Sequence, residues 1–317
     1  MKKLVVVALC LLTACTPNQT PAIENTLTPL PLPTRLPPMA IPVSATETMI
    51  PTSTVSPTKE MVTERVSPTD LMPQVYIPAG TFRMGGMDVR RAPNEIPEHD
   101  VTLDAFWMDQ LEVTNAMYGL CVNAGGCTLP QQLKSQRRPE YFDNPEFKDY
   151  PVIYVTWGQA RTYCEWAGRR LPTEAEWERA GRGDDFRTFP WGEDKAHGLL
   201  ANFNMLVGDT SRVGTYPAGA SPFGVLDMAG NIAEWVNDFY TFDYSNALEN
   251  ILNPTGPLTS AGLNRVVRGG TLGDAEINIR VSKRSSVLGS NLSAKPDSRA
   301  YLGDSSPRIG FRCAQAE

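Results

Sequence analysis

The sequence predicts a mixed α+β domain with much irregular loop over residues 74–317. Three observations predict it. Short apolar stretches with strand character open the segment. Three helix starts with capping residues follow. The remainder is dense in Gly, Pro, Asn and Asp. These ~240 residues hold every tryptophan, every tyrosine and both histidines, enough chain for one sizeable core.

Val75–Gly85 reads as strand, turn, strand, with Pro78-Ala79-Gly80 as the turn. Val101–Met108 alternates and reads as one further strand. Thr114 can cap a helix that carries Tyr118, Cys121 and Val122 and ends near Gly125-Gly126. Thr156 with Gln159 forms a capping box for a helix running to Gly168, with Trp157, Ala160, Cys164 and Ala167 on one face. Thr173 with Glu176 forms a second box, for a short helix to Gly181. Beyond it, short strands are expected near Arg265–Arg268 and Arg308–Cys313.

Residues 1–14 read as a secretory signal: Lys2 and Lys3, the apolar run Leu4–Leu12, then Thr13-Ala14 before Cys15. The run is too short to span a bilayer. Leu12-Thr13-Ala14-Cys15 resembles a bacterial lipoprotein box, which implies lipidation of Cys15 and anchoring of the exported chain to a membrane of the bacterial envelope. Residues 15–73 contain no aromatic residue and no glycine beyond the cysteine and are rich in Pro, Thr and Ser. Such a segment reads as a disordered, semi-stiff tether. The formal charge is −6, and −8 once Lys2 and Lys3 are removed. No basic block appears, so no nucleic-acid partner is expected.

With Cys10 and Cys15 set aside, Cys121, Cys127, Cys164 and Cys313 remain, and an even count in an exported chain reads first as two disulfides. The enzyme motifs of phosphate loops, nucleophile elbows and zinc proteases are absent. His99 reads as a structural hydrogen-bonding group at a strand start and His197 as a solvated loop residue. Trp107, Trp157, Trp166, Trp177 and Trp235 read as core, and Trp191 as a loop anchor. Arg280 and Arg284 are expected in supporting salt bridges.

An ordered set of motifs then covers nearly the whole domain. It includes Glu112-Val113-Thr114-Asn115 with Tyr118, then Tyr163-Cys164, Trp166-Ala167-Gly168 and Arg170-Leu171-Pro172-Thr173-Glu174-Ala175-Glu176-Trp177-Glu178. Phe189-Pro190-Trp191-Gly192, Ala201-Asn202-Phe203-Asn204 and Asp227-Met228-Ala229-Gly230-Asn231-Ile232-Ala233-Glu234-Trp235 follow. Arg268-Gly269-Gly270 and Gly310-Phe311-Arg312-Cys313 close it. In this set the chain resembles the formylglycine-generating enzyme, or sulfatase-modifying factor, family. The fold this implies is the family's variant of the C-type lectin fold.

The resemblance also supplies chemistry to look for. A local Cys121–Cys127 disulfide would pin a helix end, and the family's own bridge supports a Cys164–Cys313 pair. Structural calcium is implied at two sets: Asp227 and Glu234 by side chain with Gly230 and Ile232 by carbonyl, and Asn202 and Phe203 with Asp209. Active members bind copper(I) through two cysteines five apart, starting four residues after Arg-Gly-Gly. Counting from Gly270 puts Asp274 and Ile279 there, neither of which can ligate copper(I) or form a thiolate. No copper and no family catalysis are therefore expected. Thr271-Leu272 replaces the usual pair after Arg-Gly-Gly, and Ser285–Pro307 is longer than usual. The expected function is a lipid-anchored module that binds a protein, peptide or glycan in the family's groove. The alternatives are an oxidase converting a sulfatase cysteine to formylglycine, and a structural component of an envelope assembly.

Overall fold

The computed structural model describes residues 63–86, 91–244, 251–260, 262–291, 293–295 and 298–317. The signal segment, Cys15 and the tether up to residue 62 lie outside the described residues. Strands β1 (Glu64–Val66), β2 (Pro73–Ile77), β5 (Phe106–Asp109) and β10 (Ala314–Ala316) form an antiparallel sheet in the order β1-β2-β5-β10. Strands β3 (Gly80–Met84) and β4 (His99–Leu103) pair separately. A third sheet has the order β8-β7-β6-β9, built from β6 (Ala233–Phe239), β7 (Asn264–Arg268), β8 (Arg284–Leu288) and β9 (Ile309–Phe311). Only the β6–β9 pair in it is parallel.

Two sequence expectations change here. Val101–Met108 is not one strand: the chain leaves β4 at Asp104-Ala105 and switches sheets into β5. Asn253 fixes the switch, since its side-chain oxygen accepts from Asp104 N at 2.8 Å and its amide donates to Asp104 Oδ2 at 2.9 Å. The second change moves the domain edge ahead of residue 74. Residues 63–73 supply β1 and a turn that buries Met72 and Asp70. Asp70 accepts a hydrogen bond from Tyr163 Oη at 2.6 Å and pairs with Arg169. A long-range ion pair thus holds a segment whose composition alone argues for disorder.

The three expected helices form as α1 (Asn115–Asn123), α2 (Trp157–Trp166) and α3 (Glu174–Arg182). Thr114 accepts from Met117 N, and both capping boxes are complete. Helices α1 and α2 pack through stacked rings of Tyr118 and Tyr163, 5.6 Å apart, beside Phe311. All nine residues of α3 are buried. Its Trp177 is fully covered, which stabilises by roughly 4–6 kcal/mol on area alone.

The charges on α3 find partners in β7 and β8 as well as within the helix. Glu174 pairs with Arg284 at 2.7 Å and Arg268 at 3.3 Å, and Glu178 with Arg268 and with Arg182 at 3.2 Å. Arg280 makes a bidentate pair with Glu95, so both expected arginines support structure. A short helix, α4 (Arg299–Leu302), lies in the long 285–307 segment.

Candidate functional site

The Arg-Gly-Gly turn fixes the position from which family chemistry is counted. Arg268 anchors it, donating to Val281 O, Ser282 O and Lys283 O as well as pairing with Glu178. Gly270 has φ +69°, and a Cβ there would stand 2.4 Å from Asn278 O, so the turn from 270 to 278 closes only on glycine.

Asp274 lies in the middle of that turn and Ile279 follows directly after it. Asp274 Oδ2 accepts from Thr271 N and from Thr271 Oγ1, each at 2.8 Å, while its carbonyl accepts from Asn204 N. Both bonds are local and close the turn onto the residue three positions back. Ile279 is fully buried against Phe189, Ala201, Phe203 and Ala229. All four cysteines of the described residues are in disulfides, Cys121–Cys127 and Cys164–Cys313, as expected. Such bonds belong to an oxidising, extracytoplasmic compartment. Among the described residues no helix is long and apolar enough to cross a membrane.

The two calcium sets lie side by side, because Asn231 N donates to Asn202 O at 2.7 Å. They fit a cation unevenly. In the first set, both Glu234 oxygens accept from Arg312, each at 2.7 Å, and one also from Trp177 Nε1 at 2.9 Å. Arg312 is itself fully buried and donates to Asp109 O, Gln110 O and Leu226 O. A guanidinium therefore already supplies the positive charge to Glu234. Asp227 accepts from Gly214 N at 2.6 Å, and burial pushes its carboxyl up to about 6. Gly230 donates to Gly269 O, tying this turn to the Arg-Gly-Gly turn.

The second set keeps an open oxygen. Asn202 Oδ1 is buried with no hydrogen-bond partner, while its amide donates to Asp209 O at 2.9 Å. The Asp209 carboxylate accepts from Ser135 Oγ at 2.5 Å, Arg137 N at 3.1 Å and Thr210 N at 2.8 Å. Arg138 stands 3.5 Å from it. Phe203 packs beside Ile279. Among the described residues no group of three or more His, Cys, Asp or Glu side chains is arranged to hold a metal.

Sequence reasoning missed Glu112 as part of this cluster. Its carboxylate accepts from Asn231 Nδ2 at 2.6 Å, and burial, Asp227 and Glu234 push it well above the usual carboxylate range. The Glu112-Val113-Thr114-Asn115 motif was the available signal, but it read as a helix start.

The remaining expectations resolve simply. His99 begins β4 with Nδ1 3.0 Å from Pro97 O, and His197 is exposed. Trp107, Trp157, Trp177 and Trp235 are buried, Trp166 packs partly buried against the core, and Trp191 stacks on Phe189. In the 285–307 segment, Ser290 accepts from Gly158 N, donates to Leu302 O, and helps line a groove of about 480 Å3 at the start of α2.

Comparison with known proteins agrees with this frame. A model of the sulfatase-modifying factor enzyme 1-like domain matches residues 59–317. The formylglycine-generating enzyme of Mus musculus is 33% identical over 296 residues, covering 78% of this chain and 76% of the mouse protein. Hercynine oxygenase of Mycolicibacterium smegmatis is 34% identical over 251 residues, 67% of this chain and 56% of that one. Among solved structures, PvdO from Pseudomonas aeruginosa superposes with a TM-score of 0.65 at 28% identity, covering 80% of this chain and 98% of PvdO.

Proposed function

Since the chain belongs to the family of sulfatase-modifying factor enzyme 1-like domains, we propose that it keeps the family's scaffold without the copper oxidase chemistry and binds a protein, peptide or glycan instead. One observation carries the reading. The two positions counted for the thiolate pair hold a turn-forming aspartate and a fully buried isoleucine, and the four described cysteines are all oxidised. A carboxylate and an alkyl group do not suit copper(I), so these residues do not fit the metal and no step is routed through it.

The test is an assay of the full chain with copper, a thiol reductant, oxygen and a sulfatase-type cysteine peptide, read by mass spectrometry. No aldehyde is expected. Asp274→Cys with Ile279→Cys is expected to bring activity back, since the frame around both positions is family-like. Aldehyde formed by the unaltered chain would establish the rival reading, an oxidase that makes formylglycine. That rival draws its support from the 33% identity to an enzyme of that name. A structural part in an envelope assembly is a third reading, separated from binding by whether the chain captures a soluble peptide or glycan.

Two further parts of the reading concern ligands and place. Calcium is proposed at the Asn202 set, supported by the unpartnered buried Asn202 Oδ1 and the neighbouring Asp209 carboxylate. Chelation is then expected to lower the melting temperature of the unaltered chain but not of Asn202→Ala. Anchoring through lipidated Cys15 is supported by the signal-like sequence, and Cys15→Ser is expected to release the chain from membranes on fractionation.

A further inference from the structure

Beneath residues Pro254–Pro257 lies a cavity of about 140 Å3, away from the Arg-Gly-Gly turn. Cavities of about 150 Å3 hold a benzene-sized guest. Met84, Ala175, Pro254 and Pro257 give it apolar walls; His99, Asp238, Thr241, Tyr244 and the Glu174–Arg284 ion pair give it polar ones. The roof is fastened to β4: Thr102 N donates to Ile251 O and Asn253 N to Thr102 O, both at 2.8 Å. Gly256 closes it at φ +72°, so near that a Cβ would stand 2.7 Å from Asp238 Oδ1.

Charge is unevenly matched around this space. Glu174 is neutralised by Arg284 and Arg268 and accepts from Tyr244 Oη at 3.2 Å. Asp238, only 4% exposed, accepts one hydrogen bond, from Glu174 N at 2.8 Å. It makes no contact ion pair among the described residues; Arg284 and Arg265 bear on it only from farther off. Burial and the Glu174 charge push its carboxyl up to about 8. His99 Nδ1 stands 3.0 Å from Pro97 O.

We propose that this cavity is a binding site for a small organic cation, a primary ammonium on a short apolar tail, with Asp238 as its carboxylate anchor. The ammonium gives Asp238 a contact ion pair, Arg284 being held by Glu174, and the tail fills the space between Met84, Ala175 and the two prolines. Binding expels one proton: the neutral carboxylic acid becomes the carboxylate of the ion pair.

Isobutylammonium and the isosteric neutral isobutanol are the probes, titrated into the full chain at pH 7 by calorimetry. Methyl NMR of Met84 and Ala175 locates the binding. The ammonium is expected to bind at least about tenfold tighter than the alcohol and to move both methyl signals. Asp238→Asn, which keeps the acceptor for Glu174 N, is expected to remove that tenfold preference. Equal binding of the two probes, or methyl signals that stay in place, would overturn the proposal. The comparison of probes on the unaltered chain decides the matter even if the variant folds poorly.

Discussion

Helix α3 and the turn from Thr271 to Ile279 are neighbours in the fold and are held in opposite ways. The helix buries all nine residues, and its Glu174 and Glu178 reach arginines more than 80 positions away in sequence. The side-chain bonds of the turn are local, Asp274 to its own Thr271; Leu272 and Ile279 enter the core, and its longer-range hydrogen bonds run through backbone groups to Asn204, Met205 and Asn231. Replacing a residue of the helix network strands a buried charge. Replacing Asp274 loosens a half-exposed loop. A frame of this kind can be retained while residues on its turns change.

The comparison can be broken by measuring both regions on one stability scale. The largest effect is expected from Cys164→Ser with Cys313→Ser. That change opens a bridge between residues 149 apart and should cost about 4–5 kcal/mol in urea unfolding. Arg268→Met should follow at about 3–5 kcal/mol, because buried Glu178 would keep only Arg182 and the carbonyls of Val281, Ser282 and Lys283 would lose their donor. Asp274→Ala should cost about 1 kcal/mol or less by the same measurement. If Asp274→Ala rivals Arg268→Met, the turn belongs to the frame and the contrast fails.

Proton linkage sharpens the contrast at Asp238. Its folded pKa, about 8, lies above the ordinary 3.8, so the native state holds a proton that the unfolded chain releases. The associated stability is fully present below about pH 4 and is lost as pH rises toward 8. Asp238→Asn should flatten this part of the pH profile and raise stability at pH 9 by roughly 1–3 kcal/mol. A profile that keeps its slope in the variant would assign the linkage to another group.

What was legible in the sequence was local. Thr156 with Gln159 and Thr173 with Glu176 announce their helices because a cap and its partner lie three residues apart. The cysteine pairs could be read because so few cysteines remain in the domain. What was not legible depended on distant partners. Residues 63–73 join the fold through Asp70 and Arg169, and the strand read over 101–108 breaks because Asn253 receives Asp104. In the candidate site the residue types of Glu234 and Asp227 suggested a cation, but nothing near them in sequence announced Arg312 as the partner of Glu234. Asp238 was unmarked for the same reason: Glu174 N and the cavity walls around it come from distant segments.

The sheet order β1-β2-β5-β10 carries a consequence for how the chain acquires this shape. The partners of β5 are β2, made shortly before it, and β10, made after almost the whole domain. Cys313 sits immediately before β10, so the bridge to Cys164 waits for the same moment. A chain emerging from one end, from a ribosome or a translocation channel, holds an unfinished sheet and an unbridged Cys164 until its final strand arrives. Folding is then a single late event, and a chain stalled shortly before Cys313 exposes the β5 edge for as long as it is stalled.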